Sequence, residues 1–255
     1  MGPVMMTDEG CDESVDWDRY ASSYDLLAEN NPPYQALVEE VVGLVTQLGV
    51  RPGALIADLG AGSGNISVPL AERHPQAHVV HVDSATAMNA RAQAKAARRR
   101  LPNHRVEPCD AWEAPFRPGE LTVAVMVNAL YALPRPREYL ARVFEWLEPG
   151  GFLVVSDPGR VVNVLDWSLF LLKHSLGTHG LAHTLSVFRK TRIASAENRK
   201  IGREQRRGRY WTHDLEEFRS AVEVAGFEVL EAHVTYRGGS DLVVARKPGL
   251  STQHR

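Results

Sequence analysis

Ile56-Ala57-Asp58-Leu59-Gly60-Ala61-Gly62-Ser63-Gly64 is the most informative stretch of this 255-residue chain. Together with the preceding Ala54-Leu55, its first four residues form a short apolar run ending at Leu59, the pattern of a buried strand. Three glycines at alternate positions follow, and a helix is expected from about Asn65 to Arg73. A chain that leaves a strand through such a loop into a helix turns tightly and lets a ligand approach its backbone. The unpaired N–H groups of the helix start then face that ligand with partial positive charge. A bare strand-to-helix turn uses glycines too, so the neighbouring sequence has to decide.

Outward from this loop the pattern alternates. His78–Val82, Arg105–Pro108, Leu121–Val127 and Phe152–Ser156 read as further strands. Between them, 85–100 and 137–147 read as helices, the second stopped by Pro149-Gly150-Gly151. Strands alternating with helices imply a parallel sheet covered on both faces. Towards the C-terminus, a helix over 213–225 precedes two strands, Phe227–Tyr236 and Asp241–Ala245. They are joined through Gly238-Gly239-Ser240, an antiparallel hairpin signal. Towards the N-terminus, Trp17, Tyr20, Tyr24 and Leu27 recur at helical spacing, and Asn30-Asn31-Pro32-Pro33 starts a second helix with an apolar stripe. Residues 1–14 are acidic and aperiodic and read as a disordered tail, so that 15–255 is a single domain. Residues 158–210 break the alternation and read as a helical insertion. Ligands of open α/β sheets sit at the carboxyl ends of the strands, so an insertion after the fifth strand roofs the site.

Composition narrows the function classes. A net charge of −2 gives no global reason for a nucleic-acid or membrane partner. Cys11 and Cys109 form no paired motif, no apolar run reaches bilayer length, and no signal-peptide order opens the chain. A cytoplasmic protein without a metal site is expected. Asp83 closes the second strand 19 positions after Gly64, where a carboxylate accepts both hydroxyls of a ribose. A dinucleotide is disfavoured, because Asn65 occupies the final glycine position of G-x-G-x-x-G.

These residues together resemble the class I S-adenosylmethionine (SAM)-dependent methyltransferases. Asp58–Gly64 looks like the family's D-L-G-x-G-x-G segment, and Val82-Asp83-Ser84 with Met88 like its V-D-x-S-x-x-M segment. Cys109-Asp110-Ala111 resembles G-D-A, with Cys for Gly, and Leu147–Gly151 resembles L-K-P-G-G, with Glu for Lys. Trp17-Asp18-Arg19-Tyr20-Ala21-x-x-Tyr24-Asp25 is similar to the usual N-terminal helix. The resemblance implies an α/β, Rossmann-like seven-stranded and mostly parallel sheet with an antiparallel terminal strand. It also implies SAM as cofactor and S-adenosylhomocysteine (SAH) as product. Carried over, it places Asp58, Gly60, Ala61, Gly62 and Gly64 along the methionine and ribose portions. Asp83 and Ser84 would hold the ribose, Asp110 and Ala111 the adenine edge, and Met88 and Trp112 would flank the ring. Asn128 would stand near the sulfonium, with Tyr20 and Tyr24 closing over it.

Methyl transfer is an in-line displacement that needs a base only when the nucleophile is protonated. His174, Tyr131 and Tyr210 are the candidate catalytic residues, and Gly177 and Gly180 are expected to interrupt any helix around His174, His179 and His183. Asn31-Pro32-Pro33-Tyr34 has the letters of an amino-methyltransferase motif, but it precedes the first strand instead of following the fourth and reads as a helix start. The reading is transfer to an oxygen, nitrogen or carbon of a small molecule, as in secondary-metabolite biosynthesis, by a monomer or homodimer. Two alternatives stand beside it. One is a protein or RNA methyltransferase docking through the basic run 199–209; the other is a silent, cofactor-binding regulatory subunit.

Overall fold

The computed structural model describes residues 15–249. The acidic tail 1–14 and the last six residues of the expected domain lie outside the described residues. Seven strands form one sheet in the order β3-β2-β1-β4-β5-β7-β6. They are β1 (Leu55–Leu59), β2 (His78–Val82), β3 (His104–Glu107), β4 (Leu121–Val127), β5 (Leu147–Asp157), β6 (Glu228–Thr235) and β7 (Ser240–Arg246). The first five run parallel, and β7 lies antiparallel between β5 and β6.

Alternation along the strands splits the core in two. Ala57, Leu59, Val80, Val82, Met126 and Val155 face one way, towards Tyr139, Leu140, Val143 and Trp146 of α5 (Pro136–Trp146) and Phe218 of α8 (Leu215–Val224). Ile56, Val79, Val123, Val125 and Val154 face the other way, onto Leu37, Val41 and Val45 of α2 (Pro32–Gln47) and Leu70 of α3 (Ser67–Arg73). A period-2 side-chain pattern buried on both faces is what a doubly covered sheet requires. The remaining helices are α1 (Trp17–Glu29), α4 (Thr86–Arg99), α6 (Val164–Lys190) and α7 (Arg192–Arg206).

The strand order reverses between β1 and β4, which opens a crevice at their carboxyl ends. The helices α6 and α7 occupy 164–206 within the expected insertion, after β5. In one respect they differ from expectation. Gly177 sits inside a continuous helix, and only Gly180, at φ 77° and ψ 177°, breaks the helical geometry of α6. One tolerated glycine costs a helix about 1 kcal/mol, which the flanking turns absorb.

Candidate active site

The glycine loop shows three environments. All three glycines have positive φ: 69° at Gly60, 56° at Gly62 and 81° at Gly64. A β-carbon on Gly60 would stand 2.5 Å from the Ala129 β-carbon, and one on Gly64 would stand 2.9 Å from that of Ala92. Gly60 therefore lets the loop pass the segment after β4, and Gly64 lets it pass α4. Around Gly62 nothing lies within 4 Å of such an atom, because it faces a cavity. Gly60 borders that cavity too, whereas Gly64 lies outside its wall and is a packing residue.

The cavity has a volume of about 360 Å³, within the range of small-molecule sites. Its floor is the row of strand ends. Asp83, after β2, accepts the Gly62 N–H at 2.7 Å and the Ala85 N–H at 2.8 Å. Each oxygen keeps a lone pair for a ligand hydroxyl, and burial holds the carboxyl pKa above its ordinary value. A buried relay holds this strand end: the Asn89 amide donates to the Asp83 carbonyl at 2.8 Å and contacts His81 at 3.1 Å, which contacts Ser67 at 2.9 Å. Burial pushes the His81 pKa down to about 3, so the ring stays neutral. Asp58 at the end of β1 is pushed up to about 7 by burial, and one of its oxygens has no partner. Asp110, Ala111, Ser84 and Met88 complete this half. Asn128, just past β4, adopts φ 54° and buries an unpartnered amide oxygen at the cavity. An unpaired buried acceptor beside a cavity fits a ligand donor.

The N-terminal helix is clamped over the loop. Asp25 of α1 accepts from Ser63 at 2.5 Å and from Lys95 of α4 at 2.6 Å; Lys95 also reaches Asn65 at 2.7 Å. These bonds, above all those from Lys95, hold the Asp25 pKa below its ordinary value in spite of partial burial. The Tyr20 hydroxyl donates to Asn198 of α7 at 2.8 Å, tying α1 to the roof. Nothing in the periodicity of the sequence pointed to Asp25, Ser63, Lys95, Ser195 or Asn198. The bonding partners of Asp25, Ser63, Lys95 and Asn198 are 30 to 178 positions away, and Ser195 reaches the cavity wall only through the packing of the roof.

A ladder of rings makes one wall. Tyr20 meets Tyr24 at 5.1 Å, Tyr24 meets Tyr34 at 6.2 Å, Tyr34 meets Tyr236 at 6.2 Å, and Tyr236 stacks on Trp167 at 4.8 Å. Burial raises the pKa of every one of these tyrosines, and of Tyr131 in the same wall, so all stay protonated. Asn31 caps α2 by accepting the Tyr34 N–H at 3.3 Å, as a helix start should, and its amide also donates to the Tyr236 hydroxyl at 2.9 Å. Its place in the cavity wall was not visible from position alone.

Three further expected residues stand apart from the cavity. Trp112 donates to the Pro134 carbonyl at 3.1 Å and packs edge-on against Tyr139, so it packs against the core behind Asp110 and Ala111. Tyr210 packs edge-on against the outer side of Tyr131, at 5.4 Å. His174 stacks with Phe170, one turn before it on α6. Of the three candidate catalytic residues only Tyr131 lines the cavity, and a neutral phenol is no base. Much of the basic run is paired with acids of its own helix, Lys200 with Glu197 at 3.1 Å and Arg207 and Arg209 with Glu204.

Beneath the roof lies a second ionic group, in which His213, a histidine near the roof in the sequence, gains the partners Asp157, Asp241 and Arg160 that its position did not reveal. His213 contacts Asp241 at 3.2 Å and lies 3.8 Å from Asp157, and Arg160 pairs with Asp241 at 2.5 Å. Burial works against the charged imidazole, but bonds to the two acids outweigh it and raise the His213 pKa to about 9. Burial raises Asp157, while His213 and Arg160 overcome burial at Asp241 and lower it. The cluster joins the ends of β5 and β7 to the start of the roof.

Comparison with known proteins agrees with this geometry. A family model described as a methyltransferase domain matches residues 56–151. The trans-aconitate 2-methyltransferase of Deinococcus radiodurans is 37% identical over 143 residues, 56% of this chain and 49% of that protein. The enzyme of the same name from Methylobacterium nodulans is 31% identical over 184 residues, 71% of this chain and 64% of its own length. The chain thus spans about half to two thirds of the length of these curated relatives. Among solved structures, the Synechocystis magnesium protoporphyrin IX methyltransferase with bound SAH superposes with a TM-score of 0.61 at 18% identity. That match covers 91% of this chain and 100% of the other. Geranyl diphosphate methyltransferase superposes with a TM-score of 0.58 at 15% identity, over 84% of this chain and 77% of the other.

Proposed function

We propose that the chain is a class I SAM-dependent methyltransferase that transfers a methyl group from SAM to an oxygen, nitrogen or carbon of a small molecule. The observation that carries this reading is one continuous cavity. It runs from Gly62, Asp83 and Asp110 on the strand ends to Trp167, Ser195 and Ile201 under the α6–α7 roof.

Bound in the first half, SAM supplies an electrophilic methyl on a positively charged sulfur. Asp83 would hold the ribose through lone pairs not used by Gly62 and Ala85. Asp110 would accept from the adenine amino group while its other bond caps the short turn at Trp112. Gly62 leaves the room that a side chain would fill. The negative faces of Tyr20 and Tyr24 suit a sulfonium. The roof excludes water and holds the nucleophile in line, which is most of what this displacement asks of a protein. Residues 15–249 act as one domain with 158–210 as its substrate cap. Among the described residues no helix is long and apolar enough to cross a membrane.

Self-pairing of the basic run by Glu197 and Glu204 weighs against docking of a protein or RNA there. A silent regulatory subunit would have no use for the second half of the cavity. The deciding experiment is calorimetric titration with SAH. Micromolar or tighter binding that weakens at least 30-fold in Asp83→Asn supports the reading, since two charge-assisted bonds contribute about 1.5–3 kcal/mol each. Equal affinity of the two proteins for SAH sinks it.

A further inference from the structure

The cavity wall changes character along its length, and, granted the methyltransferase reading, that change bears on what is methylated. Above β1, β2 and β3 the charged residues are Asp58, Asp83 and Asp110, all acids. Above β4 and β5 the lining itself is uncharged, formed by Tyr34, Trp167, Ser168, Leu171, Ile201 and Tyr236 among others, and the Arg160–Asp241–His213 cluster stands outside it. No Lys, Arg or His among the described residues lines any part of it. Arg237, the cation nearest the aromatic wall in sequence, is engaged elsewhere. It pairs with Asp166 at 2.5 Å and lies over the Trp167 and Phe170 rings.

A carboxylate or phosphate moved from water into such a place loses its hydration and gains no cationic partner, the least favourable of polar burials. Those acids of the same cavity that are ionised add repulsion. Sites that take polycarboxylates present arginine forks or lysines to them. An apolar or aromatic body, by contrast, gains burial against the Tyr34–Tyr236–Trp167 wall, and ring edges and faces there offer offset contacts.

We infer that the methyl acceptor is an uncharged aromatic or apolar molecule bearing a hydroxyl or amino group, and not a polycarboxylate. In the transfer, the acceptor's oxygen or nitrogen gains the methyl as the sulfonium–methyl bond breaks. The sulfur becomes a neutral thioether, and the proton of the O–H or N–H is released to bulk solvent at the cavity mouth, since the tyrosines of the wall are held protonated. The trans-aconitate named for the relatives from Deinococcus and Methylobacterium is a tricarboxylate, so this chain would differ from them in acceptor while sharing the cofactor half.

The test is a matched pair of ligands, 2-naphthol and 2-naphthoate, which share a ring system and differ in charge. Each is titrated calorimetrically into full-length protein saturated with SAH, with trans-aconitate as a third ligand. 2-Naphthol is expected to bind at least tenfold more tightly than 2-naphthoate, and trans-aconitate not at all. Equal affinities, the reverse order, or failure of 2-naphthol to bind overturns the inference. SAH binding, measured first, reports separately on the methyltransferase reading. Ser168→Arg puts a cation into the acceptor half and is expected to narrow the ratio at least fivefold, with SAH affinity as the control for folding. An unchanged ratio in a variant that still binds SAH removes the acceptor from that half and overturns the inference.

Discussion

Gly62→Ala separates what the glycine loop does for a ligand from what it does for the fold. At φ 56° an alanine costs about 1–2 kcal/mol, and no neighbour lies within 4 Å of the added carbon. For a domain of this size that lowers the melting temperature by roughly 2–8 °C. The new methyl points into the cavity, so a ligand in van der Waals contact with Gly62 is displaced at a cost on the order of 3 kcal/mol, about 100-fold in Kd. Gly64→Ala is the comparison. Its φ of 81° carries similar strain, and its added carbon would meet Ala92 at 2.9 Å and Val68 at 3.1 Å. Overpacking adds about 1–3 kcal/mol, so stability falls by about 2–5 kcal/mol. SAH affinity of the folded variant, however, is expected to change less than tenfold, since Gly64 is outside the wall. Differential scanning fluorimetry and SAH calorimetry read both quantities on both variants. If Gly62→Ala binds SAH like the parent, or Gly64→Ala loses binding as fully while remaining folded, the loop does not meet its ligand at Gly62.

The other expectations concern the supports of the site. Tyr20→Phe removes the hydroxyl that joins α1 to Asn198 and is expected to lower stability by about 1–2 kcal/mol in urea titration; an unchanged midpoint denies the tie. Asp25→Ala leaves Lys95 without its carboxylate partner, and SAH affinity is expected to fall about tenfold as α1 loosens over Ser63; calorimetry showing parental affinity refutes the clamp. His213 is raised from an ordinary 6.5 to about 9, so the stability from its protonated form is complete below about pH 6.5 and is lost as pH rises through 9. His213→Gln is expected to flatten the fall in urea midpoint across that window, and an identical slope in variant and parent excludes the cluster as its source.

Much of the cofactor half was legible because its signals are local. A strand of period 2, a Gly-x-Gly-x-Gly turn and an acid at the next strand end each arise from neighbours in the chain. Asp83, Asp110 and Gly62 all line the cavity, and the hairpin sets β7 antiparallel as its turn residues required. Gly64 and Trp112 carry the same local pattern but face α4 and α5 instead of the cavity. A motif records which residues a turn needs and not which side a ligand occupies.

The acceptor half was out of reach for a different reason. Its wall comes from α1, α2, α6, α7 and the turn before β7, segments separated by up to about two hundred positions, as in the bond from Asn31 to Tyr236. Composition could offer tyrosines, histidines and arginines as candidates, but only packing sorted them. Tyr34, Trp167 and Tyr236 turned inward, while His174, Tyr210 and the arginines of α7 stand outside the wall. The sheet, the glycine turn and the carboxylates at the strand ends were legible in the sequence, because short-range sterics and periodicity act within a few residues. Tertiary structure alone decided that the other half of the cavity is aromatic and uncharged, because that is a sum of long-range burials with no local mark.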